Sequence, residues 1–406
     1  MKTSSSAATV NATAPSTPDS LTARLVDLLG RRLRRGTLQV ETPRGERLDF
    51  GDGGAPQATW QLRHPRALWR LLTGGALGFA EGYLAGDWDT PDLMALLDLA
   101  AANEAALGAA AGGRGWLALG ERLRHRLRAN SRRQAQRNIA YHYDLGNDFY
   151  AAWLDDTMTY SAAVFATPDE PLEQAQGRKY TRLADLAGVA PGRCVLEVGC
   201  GWGGFMSHAA TRGADVTGLS ISAEQVAYAN ARMQREGLAG RARAVFRDYR
   251  DASGSYESIV SIEMFEAVGE AYWDTYARQL ACLLAPGGRA ALQVITIEPA
   301  RFDGYRHNPD FIQRHVFPGG MLPSEPVLHA VLERAGLAVV EQHACGYDYA
   351  RTLARWRTRF EAAWPTLTAL GFDERFRRLW RYYLCYCEAG FMHDAIDVVQ
   401  LGVTHR

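Results

Sequence analysis

Long apolar runs are missing from this chain of 406 residues. A helix that crosses a bilayer needs about twenty consecutive apolar residues, and no stretch of the sequence approaches that length. The first twenty residues are rich in Ser, Thr, Ala and Pro but contain no apolar segment of the kind found in secretory signals. We therefore predict a disordered tail over residues 1–20 and a cytoplasmic protein.

Cysteine is scarce, and its spacing matches none of the usual metal sites. The chain has six cysteines: Cys194, Cys200, Cys282, Cys345, Cys385 and Cys387. Cys385 and Cys387 would diverge if they lie on a helix, because residues two apart do not share a helix face. The sequence therefore predicts reduced structural thiols and no metal site.

The sequence contains a nucleotide-binding pattern whose second strand ends without a carboxylate. This absence helps to decide between two classes of cofactor. Residues 195–205 form a short apolar strand that ends at Glu197 and leads into a turn with four glycines, Gly199, Gly201, Gly203 and Gly204. Such a turn lets the backbone approach a nucleotide-like ligand at the start of a helix. Dinucleotide folds usually place an acidic residue at the end of the second strand, but residues 214–222 end without one. The pattern favours S-adenosylmethionine over a nicotinamide cofactor.

Net charge is also missing, since 45 basic residues balance 45 acidic ones. The charge is nevertheless uneven, because arginines crowd the segment from Arg122 to Arg137 and a second cluster lies between Arg31 and Arg35. Such clusters suit phosphate groups on nucleic acids or on lipid head groups. The alternative is a solvated helix face that makes ion pairs between domains.

Two kinds of pattern divide the chain. Residues 21–105 mix helical and strand-like segments and predict a small α+β unit, with strands near residues 37–40 and 59–62 and helices near residues 21–33, 65–72 and 91–99. Residues 106–133 are predicted to be a basic linker and helix. From about residue 175, strands and helices alternate, which predicts an α/β fold with a parallel sheet covered by helices on both faces.

The predicted strands of this larger unit lie near residues 193–198, 214–219, 243–247, 257–262 and 287–296, with a helical insertion at 349–396 and a last strand at 398–404. Ligands of open parallel sheets bind at the carboxyl ends of the strands. Gly199, Ser220, Asp248 and Glu263 fall at those ends, so we expect the cofactor there.

Several separated motifs, in the same order along the chain, resemble those of the cyclopropane-fatty-acyl-phospholipid synthases. They are Tyr141-His142-Tyr143-Asp144, Thr159-Tyr160-Ser161, the glycine turn, Gly218-Leu219-Ser220-Ile221-Ser222 with Gln225, Asp248-Tyr249-Arg250-Asp251, Met264-Phe265-Glu266, Phe317-Pro318-Gly319-Gly320, and Tyr382-Tyr383-Leu384 with Cys387. The resemblance implies a Rossmann-like class I methyltransferase domain over residues 134–406, with a mostly parallel seven-stranded sheet. Residues 21–105 are similar to the N-terminal lipid-associated domain of that family, which resembles sterol-carrier folds.

The resemblance also implies the reaction. A methyl group would pass from S-adenosylmethionine to the cis double bond of an unsaturated acyl chain in a membrane phospholipid, leaving a carbocation that a base converts into a cyclopropane ring. The carbocation calls for a water-free site with aromatic faces. Three alternatives stay open: a methylene- or methyl-branched product, a methyltransferase with a soluble acceptor, and a non-catalytic lipid carrier.

In the family the base is thought to be a bound bicarbonate. The resemblance assigns its ligands to Glu266, Tyr349, Gln293, Ile295 and Ala162. Three positions depart from the family pattern: Ala162 replaces a cysteine, Gln293 replaces a histidine, and Ala267 replaces a histidine after Glu266. A slower deprotonation would let a hydride shift before the ring closes, so these departures bear on the product. Ring formation is placed slightly ahead of branching.

The remaining expectations concern the donor and the partners. The predicted donor-binding residues are Tyr160, Ser161, Glu197, Gly199, Gly201, Gly203, Leu219, Ser220, Gln225, Asp248 and Tyr249. Asp248 has the alternative role of capping a strand end, and His142 is a further candidate on the cofactor side, although a lone histidine is more often structural. The expected partner is the inner membrane surface, bound peripherally through the segment from Arg122 to Arg137, and not a nucleic acid. The choice between a monomer and a homodimer stays open.

Overall fold

Two β-sheets organise the residues that a computed structural model describes, which are 21–111 and 145–406. The predicted tail at residues 1–20, the candidate His142 and the basic segment from Arg122 to Arg137 lie outside the described residues. Most of the predicted linker at 106–133 also lies outside them.

The smaller sheet belongs to the N-terminal unit. Its elements are α1 (Leu21–Gly30), β1 (Thr37–Glu41), β2 (Arg47–Gly51), β3 (Gln57–Leu62), α2 (Arg66–Leu84), β4 (Trp88–Asp89), α3 (Leu93–Ala102) and α4 (Glu104–Ala111). The strand order is β2-β1-β3-β4, with β1 and β3 parallel and the other pairs antiparallel. The smaller α+β unit that the sequence predicts is present.

Helix α2 is much longer than the segment 65–72 that the sequence predicts. The backbone leaves the helical region at Gly75 (φ 57°, ψ −139°), and the helix then resumes to Leu84. Glycine tolerates this conformation, so the chain kinks there without ending the helix. The prediction stopped too early because a Gly-Gly pair usually marks a helix end.

The larger sheet has seven strands among the described residues, in the order β10-β11-β9-β8-β5-β6-β7. They are β5 (Cys194–Val198), β6 (Asp215–Ser220), β7 (Ala242–Phe246), β8 (Tyr256–Ile262), β9 (Leu284–Ile297), β10 (Leu337–Ala344) and β11 (Ile396–His405). Only β11 runs antiparallel to its neighbours. The predicted mostly parallel seven-stranded fold is therefore confirmed. The sequence analysis predicts no strand at β10, an edge strand that carries the polar residues Glu341, Gln342 and His343 and is largely accessible to solvent.

Helices cover both faces of this sheet. They are α5 (Asn147–Ala151), α6 (Leu172–Leu186), α7 (Gly204–Thr211), α8 (Ala223–Arg235), α9 (Phe265–Val268), α10 (Trp273–Leu283), α11 (Pro299–His307), α12 (Phe311–His315), α13 (Glu325–Arg334), α14 (Gly346–Ala362), α15 (Trp364–Ala369) and α16 (Glu374–Met392). One apolar core packs α10 and α13 on one face, and another packs α6, α7 and α8 on the opposite face. Helices α14 to α16 form the predicted aromatic-rich insertion before β11.

The N-terminal unit packs against α16 through a shared apolar core and several polar contacts. The Arg378 guanidinium donates to the carbonyl of Tyr83 at 2.9 Å and pairs with the carboxylate of Asp89 at 2.7 Å. The rings of Tyr83 and Tyr382 lie 5.8 Å apart. The two units therefore bury one continuous interface, which matters for the cavity between them.

None of the helices in the described part of the chain combines the length and the apolar character that crossing a membrane requires.

Candidate active site

A single large cavity of about 1020 Å³ opens at the carboxyl ends of the parallel strands. Its polar end is lined by the residues that follow β5, β6 and β8, where the sheet order places these strands side by side. Its other end is apolar and runs into the N-terminal unit. The position agrees with the rule that ligands of such sheets bind beyond the strand ends.

The glycine turn after β5 forms one wall of the polar end. Gly199 and Gly201 have φ angles of 85° and 50°, a left-handed backbone that favours glycine. A Cβ atom on Gly201 would meet nothing within 4 Å, so this backbone faces open space, whereas one on Gly199 would lie 3.0 Å from the Met264 side chain. The turn leaves room for a ligand to approach the main chain closely.

Glu197 lies buried beneath this turn and borders the cavity. Burial raises its pKa well above the usual carboxyl range. Its Oε2 atom has no hydrogen-bond partner among the described residues. A buried, unpaired carboxylate oxygen calls for a donor group, and the amine of S-adenosylmethionine provides one. The residues present therefore fit this cofactor.

Gly203 was also predicted to surround the donor, but it does not border the cavity. Its Cα faces α8, where an added Cβ would come within 3.1 Å of the Ala229 side chain. Its φ of 81° places it at the start of α7 as a left-handed cap residue. The structure therefore gives Gly203 a packing role between two helices.

Ser220 and Gln225 lie side by side at the end of β6, and both border the cavity. The Ser220 hydroxyl donates to Gln225 Oε1 at 2.8 Å and accepts from the Ser222 backbone N–H at 3.1 Å. The carbonyl of Leu219 accepts from the Gly199 N–H at 3.0 Å, which ties the two strand ends together. These contacts hold two of the predicted cofactor-binding residues, Ser220 and Gln225, in place.

Asp248 and Tyr249 border the cavity beyond β7. Asp248 accepts from the backbone N–H of Arg250 and forms an ion pair with its guanidinium at 2.6 Å. Burial raises the pKa of Tyr249 to about 12, so the phenol stays neutral. Asp248 thus has the capping role that the sequence left as an alternative, while it also faces the pocket.

Tyr160 and Ser161 lie on the loop before α6 and border the cavity. The Tyr160 and Tyr383 hydroxyls share a hydrogen bond of 2.8 Å, and the Lys179 ammonium donates to the Ser161 hydroxyl at 2.6 Å. Lys179 is fully buried, and burial lowers its pKa to about 8. Sequence analysis missed Lys179, because a lysine on an amphipathic helix is normally expected to face solvent.

The residues that the resemblance assigned to bicarbonate come together at the ends of β8 and β9. Three of them bind a side chain that had no assigned role, Glu263. Its Oε1 accepts from the Ala162 N–H and from Gln293 Nε2, each at 2.7 Å, and its Oε2 accepts from the Tyr349 hydroxyl at 2.8 Å. Ala162 and Gln293 are fully buried and do not border the cavity, whereas Glu263 does.

The other two assigned residues bind each other. The Ile295 backbone N–H donates to Glu266 Oε1, and Glu266 Oε2 has no partner among the described residues. Burial, together with the nearby charge of Glu263, raises the pKa of Glu266 to about 8. Two carboxylates therefore face the same part of the cavity, held by different sets of donors.

Glu263 could have been recognised only in part from the sequence. Its place at the end of β8 was predicted, but a strand-end acid has many possible uses. What identifies it is the convergence of Ala162, Gln293 and Tyr349, which lie 101, 30 and 86 residues away along the chain.

The apolar end of the cavity joins the catalytic unit to the N-terminal unit. Aromatic residues of the insertion line it, among them Tyr382, Tyr383 and Phe391. Aliphatic and aromatic side chains of the N-terminal unit continue the lining: Val26, Leu29, Leu33, Leu38, Val40, Trp60, Leu71, Leu72, Phe79, Leu96, Leu97 and Leu99. Five other aromatic side chains of the insertion do not border the cavity and serve packing instead: Trp356, Phe360, Trp364, Phe376 and Trp380.

Comparisons with known proteins agree with this arrangement. The model of the mycolic acid cyclopropane synthetase family matches residues 130–401. Tuberculostearic acid methyltransferase UfaA1 of Mycobacterium tuberculosis is 40% identical over 396 residues, covering 94% of this chain and 91% of that protein. Cyclopropane-fatty-acyl-phospholipid synthase of Escherichia coli K12 is 35% identical over 354 residues, covering 86% and 88%. The crystal structure of mycolic acid cyclopropane synthase CmaA1 complexed with SAH and CTAB matches with a TM-score of 0.62 and 30% identity, over 66% of this chain and 97% of that one.

Proposed function

Because this chain belongs to the mycolic acid cyclopropane synthetase family and is an S-adenosylmethionine-dependent methyltransferase, we propose that it methylates a carbon–carbon double bond in a phospholipid acyl chain and forms a methylene-branched product. When bound, S-adenosylmethionine supplies an electrophilic methyl group. The observation that carries the proposal is the single cavity that joins the glycine turn to a long apolar lining.

The cavity lining supports an acyl chain over a soluble acceptor. A soluble acceptor would need polar partners, but the wall beyond Glu263 and Glu266 is built mainly of aliphatic and aromatic side chains. An acyl chain gains free energy when such a wall removes it from water, at about 25 cal/mol for each Å² buried. The polar end, with its buried unpaired carboxylate oxygens, also argues against a carrier without catalysis.

The surroundings of the reacting carbons suit a carbocation. Tyr349, Tyr383 and Phe391 border the cavity close to the two carboxylates and can turn π-electron density toward positive charge. The same rings limit the access of water, which would otherwise trap the cation as an alcohol.

The choice of product depends on how quickly the cation loses a proton. Burial raises the pKa of Glu263, and the three hydrogen bonds that the carboxylate accepts oppose this rise and so weaken it as a base. A slower proton removal gives time for a hydride to shift to the cationic carbon, and loss of a proton from the new methyl group then gives a methylene branch. The relative with 40% identity is named for methyl transfer and not for ring formation, which agrees with this order of steps. A saturated methyl branch would require a separate reductase, because it contains two more hydrogens.

Access to the acyl chain would come from peripheral docking on an anionic membrane surface. Among the described residues, the N-terminal unit exposes Leu21, Leu28 and Trp69 and also carries exposed arginines at 31, 32, 34 and 35, a combination that suits lipid head groups and the upper acyl region. The basic segment from Arg122 to Arg137 remains a proposed contact. Binding to anionic vesicles should weaken as salt rises.

Product analysis tests the proposal. The full chain is incubated with methyl-labelled S-adenosylmethionine and vesicles of unsaturated phosphatidylglycerol and phosphatidylethanolamine, and the lipids are examined by mass spectrometry and proton NMR. We expect the acyl chains to gain one CH2 unit and to show the vinylic protons of a C=CH2 branch. Upfield ring protons would instead identify a cyclopropane, and unlabelled lipids would contradict acyl-chain methylation altogether.

A further inference from the structure

The anion site implied by the resemblance is already filled by the protein itself. Of the five groups assigned to bicarbonate, Ala162, Gln293 and Tyr349 donate to Glu263. The backbone N–H of Ile295 donates to Glu266. The donors of Ala162, Gln293, Tyr349 and Ile295 are thus occupied by side chains of the protein, and a dissolved anion would lie against the Glu263 carboxylate. The residues present therefore do not fit bicarbonate.

We propose that the Glu263 carboxylate is the resident base of the reaction, and that the enzyme works without bicarbonate. This inference rests on the proposed function, because it assigns the proton-accepting step of that same reaction. Glu263 borders the cavity, so its carboxylate can meet the substrate, whereas Ala162 and Gln293 lie behind it and act only through it.

The backbone at Glu263 provides a second, independent observation. Its φ is 49°, a left-handed conformation that non-glycine residues rarely adopt. Such strain persists where the surrounding structure holds it and is common at functional sites. Here the Glu263 N–H donates to the Gln293 carbonyl at 2.8 Å, so main chain and side chain of the two residues are locked together. The strained turn holds the carboxylate on its three donors.

A buried positive charge balances this carboxylate. Burial raises the pKa of Glu263, and the nearby charge of Lys179 opposes this rise. Glu266, on α9, also faces Glu263, and burial together with the charge of Glu263 raises the pKa of Glu266. The Tyr349 hydroxyl donates a hydrogen bond to Glu263. Lys179 is held in position by its hydrogen bond to Ser161, the residue next to Ala162. The lysine therefore keeps a proton acceptor available inside an apolar cavity.

The proposed step balances without any added reagent. After methyl transfer and the hydride shift, the cation lies on the carbon of the acyl chain that holds the new methyl group. Glu263 takes one proton from that methyl group, and the electron pair of the broken C–H bond becomes the new C=C bond. The proton then leaves to solvent before the next turnover, and no oxidant or reductant is consumed.

The first test removes bicarbonate. Turnover of the full chain is measured with unsaturated phosphatidylglycerol vesicles in nitrogen-purged buffer, with and without added sodium bicarbonate. We expect the same rate in both. A rate that collapses in purged buffer and returns with bicarbonate would overturn the inference while leaving acyl-chain methylation intact, whereas an enzyme inactive in both would count against the proposed function.

The second test changes the carboxylate. Glu263→Gln keeps the size of the side chain and should lower turnover by about 100- to 10,000-fold, the range that a general base contributes. The affinity for S-adenosylhomocysteine, measured by calorimetry, should stay unchanged. Glu257→Gln is the matched control, because this exposed glutamate lies on β8, the strand that Glu263 follows, away from the cavity, and the variant should behave as the wild type. A Glu263→Gln enzyme with the wild-type rate would overturn the inference.

A third variant makes the site accept an external anion. Glu263→Gly suits the left-handed backbone and frees the donors on Ala162, Gln293 and Tyr349. We expect it to be inactive in purged buffer and to regain turnover as bicarbonate or acetate is added, in proportion to occupancy. Full activity in purged buffer without either anion would contradict the assignment.

Discussion

The two ends of the cavity are built in different ways. The polar end takes its groups from short segments that follow the strands, where hydrogen bonds to neighbouring groups fix side chains such as Glu263 and Ser220. The apolar end takes single side chains from α1, the small sheet, α2, α3 and the helical insertion. The comparison shows that local motifs can assemble a site for charged and polar groups, whereas a site for an acyl chain needs surface from two units.

Variants that change one end of the cavity test this contrast. Affinity for the cofactor reports on the polar end, and KM for the phospholipid reports on the apolar end. Gly201→Val should have the largest effect, because it places a β-branched side chain on a left-handed backbone and fills the space at the donor wall. We expect donor affinity to fall at least about 100-fold, which corresponds to roughly 2.7 kcal/mol. Isothermal calorimetry with S-adenosylhomocysteine measures it.

Gly177→Val provides the control for that experiment. Gly177 lies in α6, has open space around its Cα, and does not border the cavity. Equal losses of affinity for S-adenosylhomocysteine in the two variants would show that the effect does not depend on the position of Gly201 at the cavity.

Lys179→Met should have an intermediate effect that depends on pH. Below about pH 8 the lysine is protonated and lowers the pKa of Glu263, so its removal raises that pKa and leaves less carboxylate at a given pH. Turnover of the variant should therefore fall most on the acidic side. The difference from the wild type should shrink above about pH 8, where the wild-type lysine also loses its charge. A pH profile of kcat checks this, and superimposable profiles would contradict it.

The smallest effect is expected at the apolar end, because many side chains line it and each contributes little to binding of the acyl chain. Leu38→Asn places a polar group in the lining contributed by the N-terminal unit, and we expect KM for a long-chain phospholipid to rise about tenfold. Donor affinity should stay unchanged. Leu370→Asn is the matched control, because Leu370 is 47% exposed and does not border the cavity. Equal KM values for the Leu38 variant and the wild type would show that the N-terminal unit does not contribute to substrate binding.

Much of the polar end could be predicted because its groups are close in sequence to their strands. The spacing of Glu197, Gly199 and Gly201 determines that they share one turn, since a strand followed by a tight turn leaves few other arrangements. Ser220 and Gln225 are likewise five residues apart across one helix start. Gly203 was assigned to the donor by the same pattern, yet it packs against Ala229 on α8, a contact that no local pattern contains.

The sequence alone determined the fold class and six of the seven strands of the larger sheet, because periodicity and turn chemistry act over a few residues. Only the tertiary structure decided that Glu263 would take the donors of Ala162, Gln293 and Tyr349, that Lys179 would be buried beside them, and that two units would enclose one cavity. These outcomes depend on contacts between segments far apart in the chain. Such contacts form when apolar surfaces leave water together, and each one depends on where all the others lie.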